Sequence, residues 1–123
     1  YTKVDTTHFP KVVGGMYRAV NSGFGSGGTA SIAAVEGLDI CGKTGTAQNK
    51  GKDHSAFMGF APMNNPKIAV AVYVENGGWG ATYGVPIGAL IMEKYLNGTL
   101  SPQSEVKAND IQMRRIDYGI HER

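Results

Sequence analysis

The most informative segment of this 123-residue chain reads Ile40-Cys41-Gly42-Lys43-Thr44-Gly45-Thr46-Ala47-Gln48. Its threonines favour an extended strand. At its centre the cation of Lys43 stands beside the hydroxyl groups of Thr44 and Thr46, with Gly45 between them. The lysine can attract a carboxylate, the hydroxyls can donate hydrogen bonds to it, and the glycine leaves room for a substrate's backbone. The segment therefore predicts a strand that holds a carboxylate beside a reacting carbonyl.

The composition is that of a globular chain. Hydrophobic residues make up 41% and charged residues 18% of the sequence, which is too apolar for a disordered chain. The net charge is +2 and the longest basic run is Arg114-Arg115, so nucleic-acid binding is not expected. The single cysteine, Cys41, permits no internal disulfide and is expected to be buried. No Cys/His cluster in the sequence suggests a metal, and no cofactor is expected.

The length suits one compact domain or the end of a larger one. The longest apolar runs, residues 68–74 and 85–92, are too short to span a bilayer. The chain begins with Tyr1 rather than Met, and we expect it to be a piece of a longer protein.

Hydrophobic spacing and turn residues predict an α+β fold, with a helix before and a long helix after three antiparallel strands. The first helix is expected to begin at Thr7, which can cap it, and a glycine-rich loop is expected over residues 21–31. Short connections favour an antiparallel meander. The predicted strands are residues 39–48, 54–63 and 67–75.

The second predicted helix covers residues 83–96 and ends at a left-handed Gly98. Its spacing places an apolar side against the sheet, made of Ile87, Leu90, Ile91 and Tyr95. Residues 99–123 are polar and weakly patterned, so we expect a tail that is partly helical. Residues 1–98 are then expected to be the C-terminal portion of a domain that continues before Tyr1.

Lys-Thr-Gly alone recurs by chance, and on its own it would favour a solvated lysine on an ordinary strand. Its surroundings change that judgement, because residues 42–98 resemble the C-terminal part of class B penicillin-binding proteins, which are monofunctional transpeptidases. Within that class the resemblance is greatest to the elongation type, penicillin-binding protein 2. The matching stretches are Gly42-Lys43-Thr44-Gly45-Thr46-Ala47-Gln48, Asp53-His54-Ser55-Ala56-Phe57, Gly59-Phe60-Ala61-Pro62, Asn64-Asn65-Pro66, Ala69-Val70-Ala71-Val72 and Val74-Glu75-Asn76-Gly77-Gly78.

The resemblance implies a penicillin-binding or serine β-lactamase-like domain, in which the third strand of a five-stranded sheet carries Lys-Thr-Gly. It implies that Lys43 lies at the catalytic cleft and that Thr44, Gly45 and Thr46 bind the substrate, the threonines holding the carboxylate of D-Ala-D-Ala or of a β-lactam. The backbone N–H of Thr46 would be one oxyanion donor. The implied activity is that of a peptidoglycan D,D-transpeptidase, which cross-links stem peptides through a serine acyl-enzyme.

The same resemblance implies a full-length protein anchored in the bacterial inner membrane, with a pedestal and a periplasmic catalytic domain. Its partners would be the stem peptide, β-lactams, the remainder of its own transpeptidase domain and a cell-wall elongation complex.

The chain carries no convincing nucleophile motif, so we expect it to be inactive by itself. Ser104-Glu105-Val106-Lys107 spells Ser-x-x-Lys but follows the Lys-Thr-Gly strand in a polar stretch, and we interpret it as coincidence. Tyr95-Leu96-Asn97 imitates a second motif at the predicted end of a helix. A structural role is expected for His54, and an exposed or packing role for Trp79. Two alternatives stay open, a serine β-lactamase or β-lactam sensor domain and a non-catalytic wall-binding scaffold.

Overall fold

The computed structural model describes residues 1–23 and 28–116. These residues form an α+β fold, as the sequence predicts. Part of the predicted glycine-rich loop and the last residues of the predicted tail lie outside the described residues. In chain order the helices and strands are α1 (Phe9–Asn21), β1 (Cys41–Ala47), β2 (His54–Ala61), β3 (Ile68–Val74), α2 (Gly84–Asn97) and α3 (Pro102–Met113), with short 3-10 turns at Thr6–His8 and Ser31–Ala33.

The three strands form an antiparallel sheet in the order β1-β2-β3, which confirms the predicted meander. The register pairs Lys43 with Met58 and Thr46 with Ser55. Within the described residues β1 pairs with β2 alone, so one side of β1 is a free edge. Asn65, at φ 53°, takes a left-handed conformation in the turn that joins β2 to β3.

The centre of the domain is the ring of Phe57, which is 2% exposed and closely surrounded by glycines. A Cβ atom added at Gly42 would lie 2.5 Å from Phe57 Cε2, and one added at Gly88 would lie 2.5 Å from Cδ1. One added at Gly59 would lie 2.8 Å from Cζ. The ring therefore fills space that these glycines leave open on both the sheet and α2. The remaining buried hydrophobic residues around it are Val20, Ala30, Ala33, Leu38, Ile40, Ala61, Val85, Ala89 and Met92.

Helix α2 packs on the sheet through a different side from the one predicted. Ile91 and Tyr95 are 46% and 64% exposed, whereas the buried residues of the helix are Gly84, Val85, Pro86, Gly88, Ala89, Met92 and Glu93. Glycine at position 88 lets the helix approach Phe57 more closely than a branched side chain would. Gly98 ends the helix at φ 75°, in the predicted left-handed conformation.

The start of the first helix also differs from the prediction. Asp5, rather than Thr7, supplies the capping side chain, because its carboxylate accepts the backbone N–H of Thr7 at 2.9 Å and begins the 3-10 turn. Helix α1 then lies against β1, and its last residue, Asn21, donates a side-chain hydrogen bond to the Ile40 carbonyl at 2.9 Å. This contact fixes the chain immediately before β1.

Helix α3 lies within residues 99–123, where a polar and partly helical tail is predicted. Ser101 caps it, and the Ser101 backbone N–H also donates to the carboxylate of Glu93 on α2 at 2.9 Å. At the other end, Arg114 pairs with Asp110 and donates to the Thr82 carbonyl. The helix is thus attached to the domain through polar contacts near both of its ends.

Candidate active site

Lys43 lies exposed on β1, on the face of the sheet that it shares with Met58. Its ammonium group donates to the carbonyl of the next residue, Thr44, at 2.9 Å. A neutral carbonyl is a weaker acceptor than a carboxylate. A carboxylate ligand would therefore replace this contact with a stronger one.

Thr44 and Thr46 lie on the opposite face of β1 from Lys43, because successive side chains of a strand alternate. Thr46 is exposed and Thr44 is half-buried. The register places the side chains of Ser55 and Phe57 on the same face as these two threonines. The ammonium group and the hydroxyls can thus meet one ligand only around the free edge of β1.

Among the residues that the structure describes, two cavities reach Lys43 on its own face of the sheet. The larger, about 700 Å³, lies between α1 and β1 and is also lined by Met16, Arg18 and Met58. The smaller, about 350 Å³, lies over the sheet and is lined by Lys43, Gly45, Met58 and Tyr73. Both are lined mainly by apolar residues; besides Lys43, the larger cavity includes Arg18, Ser22 and Thr29, and the smaller includes Thr44. Lys43 therefore places a cation at the border between apolar surface and solvent.

The threonine face of β1 is covered near Gly45 by residues 79–84, which we call the backing segment. A Cβ atom added at Gly80 would lie 2.7 Å from the Gly45 carbonyl oxygen and 3.1 Å from its nitrogen. Ser55, which is fully buried, donates to the Trp79 carbonyl at 2.8 Å and accepts the Gly84 N–H at 3.0 Å. The roles of Ser55 and Gly80 were not predicted from the sequence, although the cluster of glycines in residues 77–84 indicates that the backbone passes close to a neighbouring segment.

His54 and Trp79 do not join Lys43 in a common site. His54 Nδ1 accepts the Asn76 backbone N–H at 2.9 Å, and its ring lies against Tyr73 with the centroids 5.3 Å apart. This is a structural contact at the start of β2. Trp79 is 75% exposed at the beginning of the backing segment.

Ser104 lies in the first turn of α3, beside Glu93, and is buried. These two residues line a separate cavity of about 430 Å³ to which β1 contributes no residue. Burial would raise the pKa of the Glu93 carboxyl, but the nearby Ser104 and Ser101 groups and the charge of Lys107 outweigh it, so the pKa lies below its ordinary value. The Ser104 hydroxyl pairs with that of Ser101 at 3.0 Å, beside the Glu93 carboxylate and away from β1, which supports the interpretation of its Ser-x-x-Lys sequence as coincidence.

Cys41 is buried at the start of β1, as predicted. Burial raises the pKa of its thiol, and the neighbouring charge of Asp39 raises it further. In the part of the chain that the structure describes, no group of three or more His, Cys, Asp or Glu side chains could hold a metal ion. Among the same residues, no helix has both the length and the apolar character to cross a membrane.

Comparison with protein families identifies the domain. Residues 2–114 match the model of the penicillin-binding protein transpeptidase domain. The chain belongs to this family. The match extends from before α1 to the end of α3, so it includes residues 99–114 of the stretch for which a polar tail is predicted.

Curated relatives agree with the family match. The chain is 34% identical over 117 residues to the peptidoglycan D,D-transpeptidase MrdA of Haemophilus influenzae, an alignment that covers 82% of the chain and 18% of the relative. It is 41% identical over 76 residues to the peptidoglycan D,D-transpeptidase PbpA of Mycobacterium tuberculosis, covering 53% of the chain and 15% of that protein. The chain thus spans about a fifth or less of the length of these relatives.

Solved structures of class B penicillin-binding proteins share the fold. An imipenem acyl-enzyme complex of penicillin-binding protein A from M. tuberculosis superposes with a TM-score of 0.63 at 34% identity, covering 76% of this chain and 20% of that one. Penicillin-binding protein 2 of Pseudomonas aeruginosa, in complex with WCK 5153, gives a TM-score of 0.58 at 38% identity, covering 84% and 23%. The resemblance to the class B transpeptidases that the sequence suggested is confirmed.

Proposed function

We propose that this chain is the segment of a peptidoglycan D,D-transpeptidase that presents the substrate-holding strand. The observation that carries the proposal is the position of Lys43-Thr44-Gly45-Thr46 on a strand of a transpeptidase-family domain, with the lysine exposed and one side of the strand unpaired among the described residues. A free edge can accept an extended peptide through main-chain hydrogen bonds. The D,D-transpeptidase names of the relatives favour this function over a β-lactamase, a sensor or a scaffold.

The chemistry proposed is acyl transfer through a serine that another part of the protein supplies. Its oxygen attacks the carbonyl of the penultimate D-alanine, and the terminal D-alanine leaves as an amine that takes up a proton. An amine of a second stem peptide then attacks the acyl-enzyme, forms the cross-link and releases the serine. A β-lactam reacts at the first step by opening its ring C–N bond, and the acyl-enzyme persists.

Each residue of the strand has a proposed role in that sequence of steps. The ammonium group of Lys43 attracts the terminal carboxylate and influences proton positions in the cleft. The hydroxyls of Thr44 and Thr46 donate to the carboxylate. The Thr46 backbone N–H donates to the oxyanion that forms when the carbonyl is attacked. Loss of one oxyanion donor typically lowers the rate by about 10²–10³.

The whole protein is proposed to be anchored in the bacterial inner membrane with its catalytic domain in the periplasm, as part of a cell-wall elongation complex. By itself the chain is proposed to be catalytically silent. Stoichiometric covalent attachment of labelled penicillin to the isolated 123-residue chain would overturn that statement.

Acylation of the full-length protein by labelled penicillin also tests the proposed roles of the strand residues. Replacing Lys43→Ala, or both threonines by valine (Thr44→Val with Thr46→Val), is expected to lower the acylation rate constant by about 10²-fold or more, since a charged and a hydrogen-bonding contact to the carboxylate are lost. The matched control is Lys67→Ala, which removes an exposed lysine just before β3. Acylation at the wild-type rate in both site variants would refute the proposed site.

A further inference from the structure

We propose that the backing segment, residues 79–84, sets the position of the Lys-Thr-Gly-Thr strand, with Gly80 and Ser55 as positioning residues for carboxylate recognition. This inference rests on the proposed function, because it concerns how the same strand meets its ligand. Neither residue touches the proposed ligand position through its own side chain: Gly80 has none, and that of Ser55 is fully buried. Both act through the backbone of β1 and its neighbour.

Gly80 lies against the backbone of β1 at Gly45, between the two threonines that are proposed to hold the carboxylate. A Cβ atom at this position would be 2.7 Å from the Gly45 carbonyl oxygen and 2.6 Å from the Ala56 carbonyl oxygen. Both obstacles are main-chain atoms of the sheet, so no side-chain rotation can relieve the overlap. Any side chain at position 80 therefore has to displace either the backing segment or the strand.

The contact lies on the face that carries the threonine side chains. Ser55 pairs with Thr46 and shares its face, and Ser55 is also the residue that holds the backing segment. Gly45 projects to the other face, so Gly80 occupies the space over Gly45 between Thr44 and Thr46. A displacement at this point moves both hydroxyls and the Thr46 N–H together.

Ser55 holds the segment through one hydroxyl, whose single proton is shared between two carbonyl oxygens and whose oxygen accepts one backbone N–H. Its Oγ lies 2.8 Å from the Trp79 carbonyl oxygen and 3.2 Å from that of Gly80, and it accepts the Gly84 N–H at 3.0 Å. A buried hydroxyl that both donates and accepts fixes its partners in one arrangement. Because Ser55 belongs to β2, it ties the backing segment to the same sheet that carries β1.

The test compares two acylating agents in the full-length protein, benzylpenicillin and its methyl ester, which lacks the free carboxylate. The measured quantity is the ratio of their acylation rate constants, followed by intact-mass spectrometry. Gly80→Ala is expected to lower the preference for the free acid by about tenfold, since misplacement of a binding group by a fraction of an ångström to an ångström is costly. The matched control is Gly51→Ala in the β1–β2 loop, where an added Cβ would have no neighbour within 4 Å.

A purely structural role for Gly80 would slow both agents equally, so an unchanged ratio in a folded Gly80→Ala protein overturns the inference. If that variant does not fold, Ser55→Ala decides, because it releases the backing segment without adding bulk. A folded Ser55→Ala protein with a wild-type ratio overturns the inference, and a reduced ratio supports it. The proposed function is tested separately by the wild-type protein: if its two acylation rate constants are equal, the carboxylate is not recognised and the proposed function is wrong.

Discussion

The enclosure of Phe57 by glycines predicts that adding one methyl group to α2 destabilises the domain. For Gly88→Ala two effects compete. Alanine in the middle of a helix is favoured over glycine by about 1 kcal/mol. Against this, the new Cβ would lie 2.5 Å from Phe57 Cδ1 and 2.6 Å from Cε1, whereas carbon atoms pack at about 3.5–4.0 Å. The ring or the helix must therefore move by about 1 Å.

The ring cannot yield freely, since Gly42 and Gly59 already contact its far side. Overpacking of this kind costs about 1–3 kcal/mol, and the rigid surroundings favour the upper half of that range. After subtraction of the helix preference, Gly88→Ala is expected to lower the free energy of unfolding by about 1–2 kcal/mol. Urea unfolding monitored by circular dichroism, with the slope held equal between variants, measures this difference.

The matched control is Gly15→Ala on α1, where an added Cβ would have nothing within 4 Å. The same chemical change is expected there to raise stability by about 0.5–1 kcal/mol. A second arm places Gly88→Ala in a Phe57→Leu background, where the smaller side chain should remove most of the penalty. An increase in stability for Gly88→Ala in the wild-type background would refute the reasoning, as would an undiminished penalty beside leucine.

Two further predictions concern buried ionisable groups. The pKa of Glu93 is lowered in the folded state, so its carboxylate contributes stability above the ordinary glutamate pKa of about 4.3, and this contribution is lost as the pH falls through the folded pKa. Glu93→Gln is therefore expected to lower the free energy of unfolding by about 1–3 kcal/mol near pH 7, and by progressively less below pH 4. Urea unfolding midpoints of both proteins, measured from pH 3 to 7, would show this change. A difference that does not depend on pH would contradict the prediction. Cys41 is buried with a raised thiol pKa, so a thiol reagent at pH 8 is expected to modify it only after unfolding in urea, and rapid labelling of the native protein would disprove the buried position.

The strands were predictable from sequence because their signals are local. Continuous apolar residues in β3, and turn residues such as Asn65 before it, specify the meander without reference to distant parts of the chain. Gly98 is equally local, since the left-handed end of a helix requires little more than glycine at that position. The predicted boundaries differ from the observed ones by up to two residues.

The packing side of α2 was mispredicted because hydrophobicity is a poor guide where close approach is needed. Ile91 and Tyr95 looked like core residues, but the sheet presents Phe57, and a large ring is best covered by a helix side that contributes little bulk. Such complementarity depends on which residue lies opposite. A helical pattern read from one segment does not contain that information.

The residues proposed for the site were recognisable in the sequence, whereas the residues that hold their strand in place were not. Lys43 to Thr46 form a short contiguous motif, and resemblance to a family could identify it. Gly80 and Ser55 reach the strand through contacts between distant parts of the chain, and neither residue type is unusual in its local setting. Only the fold brings the backing segment against Gly45.

The side chains of Lys43 and of its two threonines lie on opposite faces of β1, and this determines how a peptide ligand meets the strand. In the proposed function, an extended peptide that adds to this edge would carry its own side chains alternately toward the face of Lys43 and toward the face of the two threonines. Discrimination among peptides of differing composition would then depend on what lines each face of the sheet beside β1.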